Sequence, residues 1–186
     1  MNLILAITGA TGARAAALLL DKSPWPVTLV ASKWGRNVYS RECGSFEQLS
    51  RRAAKLLDND DLSAAIASGS VPTRGMVLLP CSTNALGKIA SGVADCLITR
   101  AAHCHLKERR PLALCVRESP WTLIDLDNAR KVAAAGGLIM PICPPYYMFS
   151  DRPPDAVTAD DLLGAFVDRV LAALGHLPER DWEAIS

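Results

Sequence analysis

Five short runs dominated by apolar residues, separated by stretches of helical character, set the terms for what this chain can fold into. The runs are Leu3–Thr8, Pro26–Ala31, Met76–Leu79, Leu112–Val116 and Leu138–Met140. Each is too short for a core helix and too uniformly apolar for a strand with one wet face. Each therefore reads as a strand buried on both sides. Helical character falls at Ala13–Leu20, Trp34–Ser40, part of the charged stretch Glu47–Ile66, Thr83–Ala90, Asp95–Leu106 and Leu126–Ala135, and the amphipathic stretch Ala159–Leu174 follows. Strands alternating with helices require βαβ crossovers and a parallel sheet. The expected fold is α/β, a Rossmann-like (flavodoxin-like) parallel sheet flanked by helices in three layers. Pro80 is expected to end the third strand, and Gly136 to cap the helix before the fifth. Residues 141–158, rich in proline, are expected to be irregular. A chain of 186 residues, 50 % hydrophobic, suits one domain over 1–186 with a tail at 175–186.

Ligands of such sheets bind beyond the carboxyl ends of the strands. The first of these loops, Thr8-Gly9-Ala10-Thr11-Gly12, joins a strand to a helix. Its glycines let the backbone approach an anion, and the helix start offers free N–H groups and a positive dipole end. Thr8 and Thr11 add hydroxyls. A tight turn with a threonine cap is the plainer reading of the same residues. The second strand ends in Ala31-Ser32-Lys33, without the acidic residue that a dinucleotide ribose calls for. Lys33 suits an NADP 2′-phosphate, but the chain has no Tyr-x-x-x-Lys pair. A mononucleotide fits better. The loop after the third strand, Pro80-Cys81-Ser82-Thr83-Asn84-Ala85, presents hydroxyl and amide groups at a second helix start.

That loop, continued by Lys88, Ala90, Gly92, Ala94 and Asp95, resembles the flavoprotein superfamily of flavin prenyltransferases and flavin-dependent cysteine decarboxylases. The series Arg100-Ala101-Ala102, Leu106-Lys107-Glu108-Arg109-Arg110-Pro111 and Val116-Arg117-Glu118-Ser119-Pro120 is similar to the UbiX-type flavin prenyltransferases in particular. The residues themselves agree in part. Arg117 and Glu118 stand at the end of an apolar strand, where charges need a partner or a ligand. Arg100 and Lys107 lie two helical turns apart and are expected to share a face and converge on one anion.

The resemblance implies FMN as cofactor, held by Gly9, Ala10, Thr11, Ser32, Ser82, Thr83, Asn84, Ala85 and Arg117. It implies dimethylallyl monophosphate as the second substrate, with Arg100, Lys107, Tyr147 and Arg169 around its phosphate. Arg152 rivals Arg169, because the chain is several residues longer here than the family spacing. Glu118, Thr11 and Lys107 are the implied catalytic groups, with Glu118 moving the proton. The product would be prenylated FMN, passed to a UbiD-type decarboxylase. The family is oligomeric, typically a dodecamer built of trimers, and Trp182 in the tail is expected to reach a neighbouring copy. The family carries serine at Thr11, and Arg14 is out of place in a flavin-facing turn.

No metal is expected. The chain has Asp58-Asn59-Asp60-Asp61 and Asp160-Asp161 but no Asp-Asp-x-x-Asp, and His103 and His105 point to different sides of a helix. Trp34 and Trp121 either border the flavin or pack, and packing is the preferred reading. The formal net charge of +1 selects neither nucleic acid nor membrane. Six cysteines without a C-x-x-C pair read as free thiols in a cytoplasmic protein. Three alternatives stay open: a cysteine-type decarboxylase with a histidine near the flavin, a non-catalytic FMN-binding subunit, and an NADP oxidoreductase.

Overall fold

The computed structural model describes residues 1–150 and 152–177; the Trp182 expectation lies outside them. Six parallel strands form one sheet: β1 (Leu3–Ile7), β2 (Val27–Ala31), β3 (Lys55–Leu57), β4 (Gly75–Cys81), β5 (Leu112–Val116) and β6 (Leu138–Ile139). Their order is β3-β2-β1-β4-β5-β6, the Rossmann order, which reverses direction between β1 and β4. The helices are α1 (Arg14–Lys22), α2 (Lys33–Cys43), α3 (Phe46–Arg52), α4 (Thr83–Ala90), α5 (Leu97–Lys107), α6 (Leu123–Ala134) and α7 (Ala159–Ala173).

The uniform apolar runs are explained by two cores. Leu3, Leu5, Ile7, Leu29, Val77, Leu79, Ala113 and Cys115 pack against α1, α2, α3 and α7. The alternate positions Ile4, Ala6, Val30, Met76, Leu78, Leu112 and Leu114 pack against α4, α5 and α6. Successive strand residues point to opposite faces, and here both faces are dry. The expected three-layer α/β class is what forms.

Three local expectations differ. The strand β3 went unseen because it is a three-residue edge strand whose residues are largely exposed; such edges carry charge rather than an apolar run. The strand β4 does not stop at Pro80 but runs to Cys81, with a break in register between Leu78 and Cys81. Proline lacks the ladder N–H, so the strand passes it by an irregularity. Helix α6 starts a turn earlier than its apolar pattern, since Thr122 and Asp125 cap each other's backbone N–H groups. Gly136 does follow α6, at φ 95°. The described residues of 141–158 are irregular apart from two short 3₁₀ turns, Tyr146–Phe149 and Pro154–Ala156.

The two loops at the β1–β4 switch are stitched by one buried side chain. Thr8 Oγ1 donates to the Pro80 carbonyl at 2.9 Å and accepts from Ser82 N–H at 2.8 Å. Thr8 is 4 % exposed, so this hydroxyl is committed to the scaffold and not to a ligand. Thr8→Val keeps the shape but leaves Ser82 N–H without its acceptor, while the Pro80 carbonyl still accepts from the backbone N–H of residue 8 at 3.2 Å. It is expected to cost about 1–2 kcal/mol of stability, measurable by urea unfolding at unchanged m.

Candidate active site

A cleft of about 810 Å³ opens at the carboxyl end of the sheet, where β1 and β4 diverge. Its walls come from the loops after β1 (Thr8 to Thr11), β2 (Ser32, Trp34), β4 (Ser82 to Ala85, with Lys88) and β5 (Arg117, Glu118). Asn59, Asp60, Asp95, Cys96, Ile98 and Thr99 complete it. The volume falls in the range of small-molecule sites. Every residue expected to hold the flavin lies on this one surface.

Two serines cap helices and still face the cleft. Ser32 Oγ accepts from Gly35 N–H at 3.0 Å, and Ser82 Oγ accepts from Ala85 N–H at 3.3 Å. Each hydroxyl keeps its own hydrogen to donate. The first amides of α4, at Thr83 and Asn84, belong to the unpaired group that every helix start leaves. Arg117 joins them on the cleft, and among the described residues its guanidinium has no hydrogen-bond or ion-pair partner. Backbone amides, hydroxyls and a free guanidinium on one surface are a donor set for a phosphomonoester.

The start of α1 behaves differently. Gly12 N–H and Ala13 N–H donate to the Glu42 carboxylate at 3.0 and 2.8 Å. An anion from the end of α2 already holds the amides that the Gly-x-x-Gly spacing offers to phosphate. The donors left open to an anion are therefore those of the α4 start and Arg117, while Gly9, Ala10 and Thr11 form cleft wall. Sequence reasoning had no local signal for Glu42, which lies 30 residues away. It also passed over Asn59, whose Oδ1 accepts from Ile98 N–H at 3.2 Å and whose carbonyl accepts from Leu97 N–H at 2.7 Å. These bonds draw the Asp58–Asp61 turn onto the cleft rim.

The charges near the cleft also depart from expectation. Arg117 and Glu118 are exposed, not enclosed by the strand they follow, so burial does not force them to pair. The Glu118 carboxylate accepts from Ser119 N–H at 2.9 Å. Lys88 pairs with Asp95 at 2.6 Å; their hydrogen bond holds the Asp95 carboxyl below its usual range and raises the lysine. Arg14 avoids the cleft altogether and forks onto Asp160 of α7 at 3.0 and 3.1 Å. Cys81 faces the core, where burial pushes its thiol up to about 12.

Tyr147 and Arg169 do meet. They line a second cleft of about 510 Å³ with Met140, Pro141, Cys143, Pro144, Pro145, Tyr146 and Phe166. Arg152 is not on it; it pairs with Asp161 at 3.7 Å and covers the Phe149 ring. The loop after β6 reaches the end of the first loop, where Ile142 sits 3.4 Å from the place of a Cβ on Gly12. Arg100 and Lys107 do not converge. Arg100 Nε donates to the Ala67 carbonyl at 2.9 Å, and Lys107 pairs with its neighbour Glu108. Helix α5 starts at the cleft rim and carries Lys107 about 15 Å away along its axis, so a shared face does not become a shared ligand. Neither residue lines either cleft in its own chain.

No histidine lines the first cleft. His105 is buried, with Nδ1 2.7 Å from the Ala101 carbonyl and Nε2 2.7 Å from Thr73 Oγ1. His103 bonds the Ile89 carbonyl, and His176 meets the edge of Trp25. Among the described residues no group of three or more His, Cys, Asp or Glu side chains could hold a metal ion.

Comparison with known proteins decides the family. The model of the Flavoprotein family matches residues 1–170. Flavin prenyltransferase UbiX of Escherichia coli K12 is 41 % identical over 175 residues, covering 91 % of this chain and 89 % of that protein. The chain belongs to the UbiX-type flavin prenyltransferase family. Among solved structures, AnUbiX (PadA1) in complex with FMN and dimethylallyl pyrophosphate superimposes with a TM-score of 0.88 at 32 % identity, covering 97 % of each chain. A dodecameric FMN-dependent UbiX-like decarboxylase from Escherichia coli O157:H7 does so with a TM-score of 0.88 at 35 % identity, covering 97 % of this chain and 98 % of that one. Within this family the residues of the first cleft fit a flavin mononucleotide. Helix amides and a free guanidinium suit its phosphate, and hydroxyls suit its ribityl chain.

Proposed function

We propose that this flavin prenyltransferase joins the dimethylallyl group of dimethylallyl monophosphate to reduced FMN, giving prenylated FMN. The observation that carries the reading is the first cleft, which holds a mononucleotide's donor set with Glu118 on its wall; Tyr147 and Arg169 line a second cleft. Bound reduced FMN supplies the nucleophilic ring. Arg117 and the start of α4 hold the phosphate of the cofactor, and Ser32, Ser82 and Gly9 to Thr11 line the rest of it. Tyr147 and Arg169 hold the leaving phosphate by charge-assisted hydrogen bonds, which strengthen as negative charge gathers on the departing oxygen. Glu118, with the Thr11 hydroxyl, takes and returns the proton that ring closure moves. Lys107 and Arg100 point away from their own chain's clefts, so a role for either belongs to the cleft of a neighbouring copy in a homo-oligomer.

The prenylated product is a cofactor for another enzyme, and a UbiD-type decarboxylase is the proposed recipient. Six free thiols accord with a cytoplasmic setting, and no helix of the described residues is long and apolar enough to cross a membrane. The absence of a histidine from the first cleft disfavours cysteine-type decarboxylation.

The test mixes purified protein, reduced FMN and dimethylallyl monophosphate or diphosphate under anaerobic conditions and reads the flavin by mass. Gain of one prenyl unit from the monophosphate supports the reading. FMN bound but unchanged with both donors makes the chain a flavin-binding subunit and sinks it.

A further inference from the structure

Trp34 is 65 % exposed and lines the first cleft. A ring exposed on the wall of a cleft is available to stack on a ligand there. The other described tryptophans are half-buried, with partners on the protein. Trp25 lies under the Arg74 guanidinium at 4.7 Å and against His176. Trp121 donates from Nε1 to the Glu118 carbonyl at 3.0 Å and packs on the core. Of the two readings of Trp34, packing is the one its exposure overturns.

Its backbone is clamped, which prevents the ring from being drawn inward. A Cβ on Gly35 would lie 2.2 Å from the Ile7 carbonyl oxygen, and one on Gly9 would lie 2.7 Å from Trp34 Cβ. Ser32 N–H donates to that same Ile7 carbonyl at 3.0 Å, and Ser32 Oγ caps Gly35 N–H. The first turn of α2 therefore rests directly on the end of β1. The indole is held over the cleft by a rigid base, as a binding platform must be.

We infer that Trp34 is the stacking platform for the planar ring of the ligand, the isoalloxazine of FMN, while Arg117 holds the phosphate. The inference rests on the FMN reading above. Offset stacking of two large π systems adds to the area they bury. An indole in van der Waals contact with an excited flavin also gives it an electron and regains it on relaxation, which darkens flavin emission. Phenylalanine stacks but does not donate that electron.

The test titrates FMN into the full chain and into Trp34→Phe and Trp34→Leu, both checked for unchanged circular dichroism. It reads affinity by ultrafiltration and the emission lifetime of the bound flavin. Wild type is expected to bind FMN in a dim state. Trp34→Phe should brighten it several-fold with little loss of affinity, and Trp34→Leu should brighten it and bind roughly three- to tenfold more weakly. Equal affinity and equal emission in all three proteins would overturn the inference and leave the flavin reading standing. Unchanged emission with a change in oligomer size would also overturn it, assigning Trp34 to contact with a second copy. No binding of FMN by wild type would remove both.

Discussion

Glu118→Gln is expected to lower formation of prenylated FMN by roughly a hundred- to ten-thousandfold, the range that a positioned general base or acid contributes. FMN affinity should stay within about twofold of wild type. The asymmetry follows from the geometry. Glutamine keeps the side-chain oxygen that accepts from Ser119 N–H, so the local turn and the cleft wall survive. It gives up the capacity to take a proton. Glu118 also stands on an exposed strand end, where a neutral amide costs no burial. Single-turnover mass analysis beside an FMN titration separates the two effects. A variant with full product yield would remove Glu118 from proton transfer.

Arg117→Ala should weaken FMN binding by roughly ten- to a hundredfold, the worth of charge-assisted hydrogen bonds to a phosphate. No ion pair among the described residues is broken by the change, so the loss reads on ligand and not on fold. Thermal unfolding of the ligand-free variant should match wild type within a degree or two. The effect should shrink as salt rises, because the exposed charge is screened. Arg117→Lys should recover part of the affinity, since lysine restores the charge without the two-pronged geometry. Riboflavin, which lacks the phosphate, should bind wild type and Arg117→Ala alike. Loss of riboflavin binding in the variant would instead place Arg117 at the ring.

The path from sequence to site was legible in proportion to how local each determinant is. Uniform apolar runs separated by helical stretches carried the parallel sheet, because a strand buried on both faces has no polar alternation to keep. The sheet then placed the loops at Gly9, Ser32, Ser82 and Arg117 on one rim, since parallel strands all end on the same side. The helix start at Ser82 was likewise readable, its cap being a contact three residues long; the cap at Ser32 was not, and appeared only in the folded chain.

Other features needed the folded chain. The amides at the start of α1 look free in the sequence, yet Glu42 fills them from the far end of α2. Thr8 looks like a ligand hydroxyl, yet Pro80 and Ser82 consume it. Arg14 looks misplaced until α7 brings Asp160 to it across 146 positions. Lys107 shares a helix face with Arg100 but ends at the opposite end of α5. Apolar periodicity is written in neighbouring residues, so the sequence by itself determined the elements, the layers and the rim where a ligand sits. Which polar group meets which is settled by crossovers between distant segments, so the tertiary structure alone decided which donors on the rim stay open and left Trp34 exposed on the cleft wall.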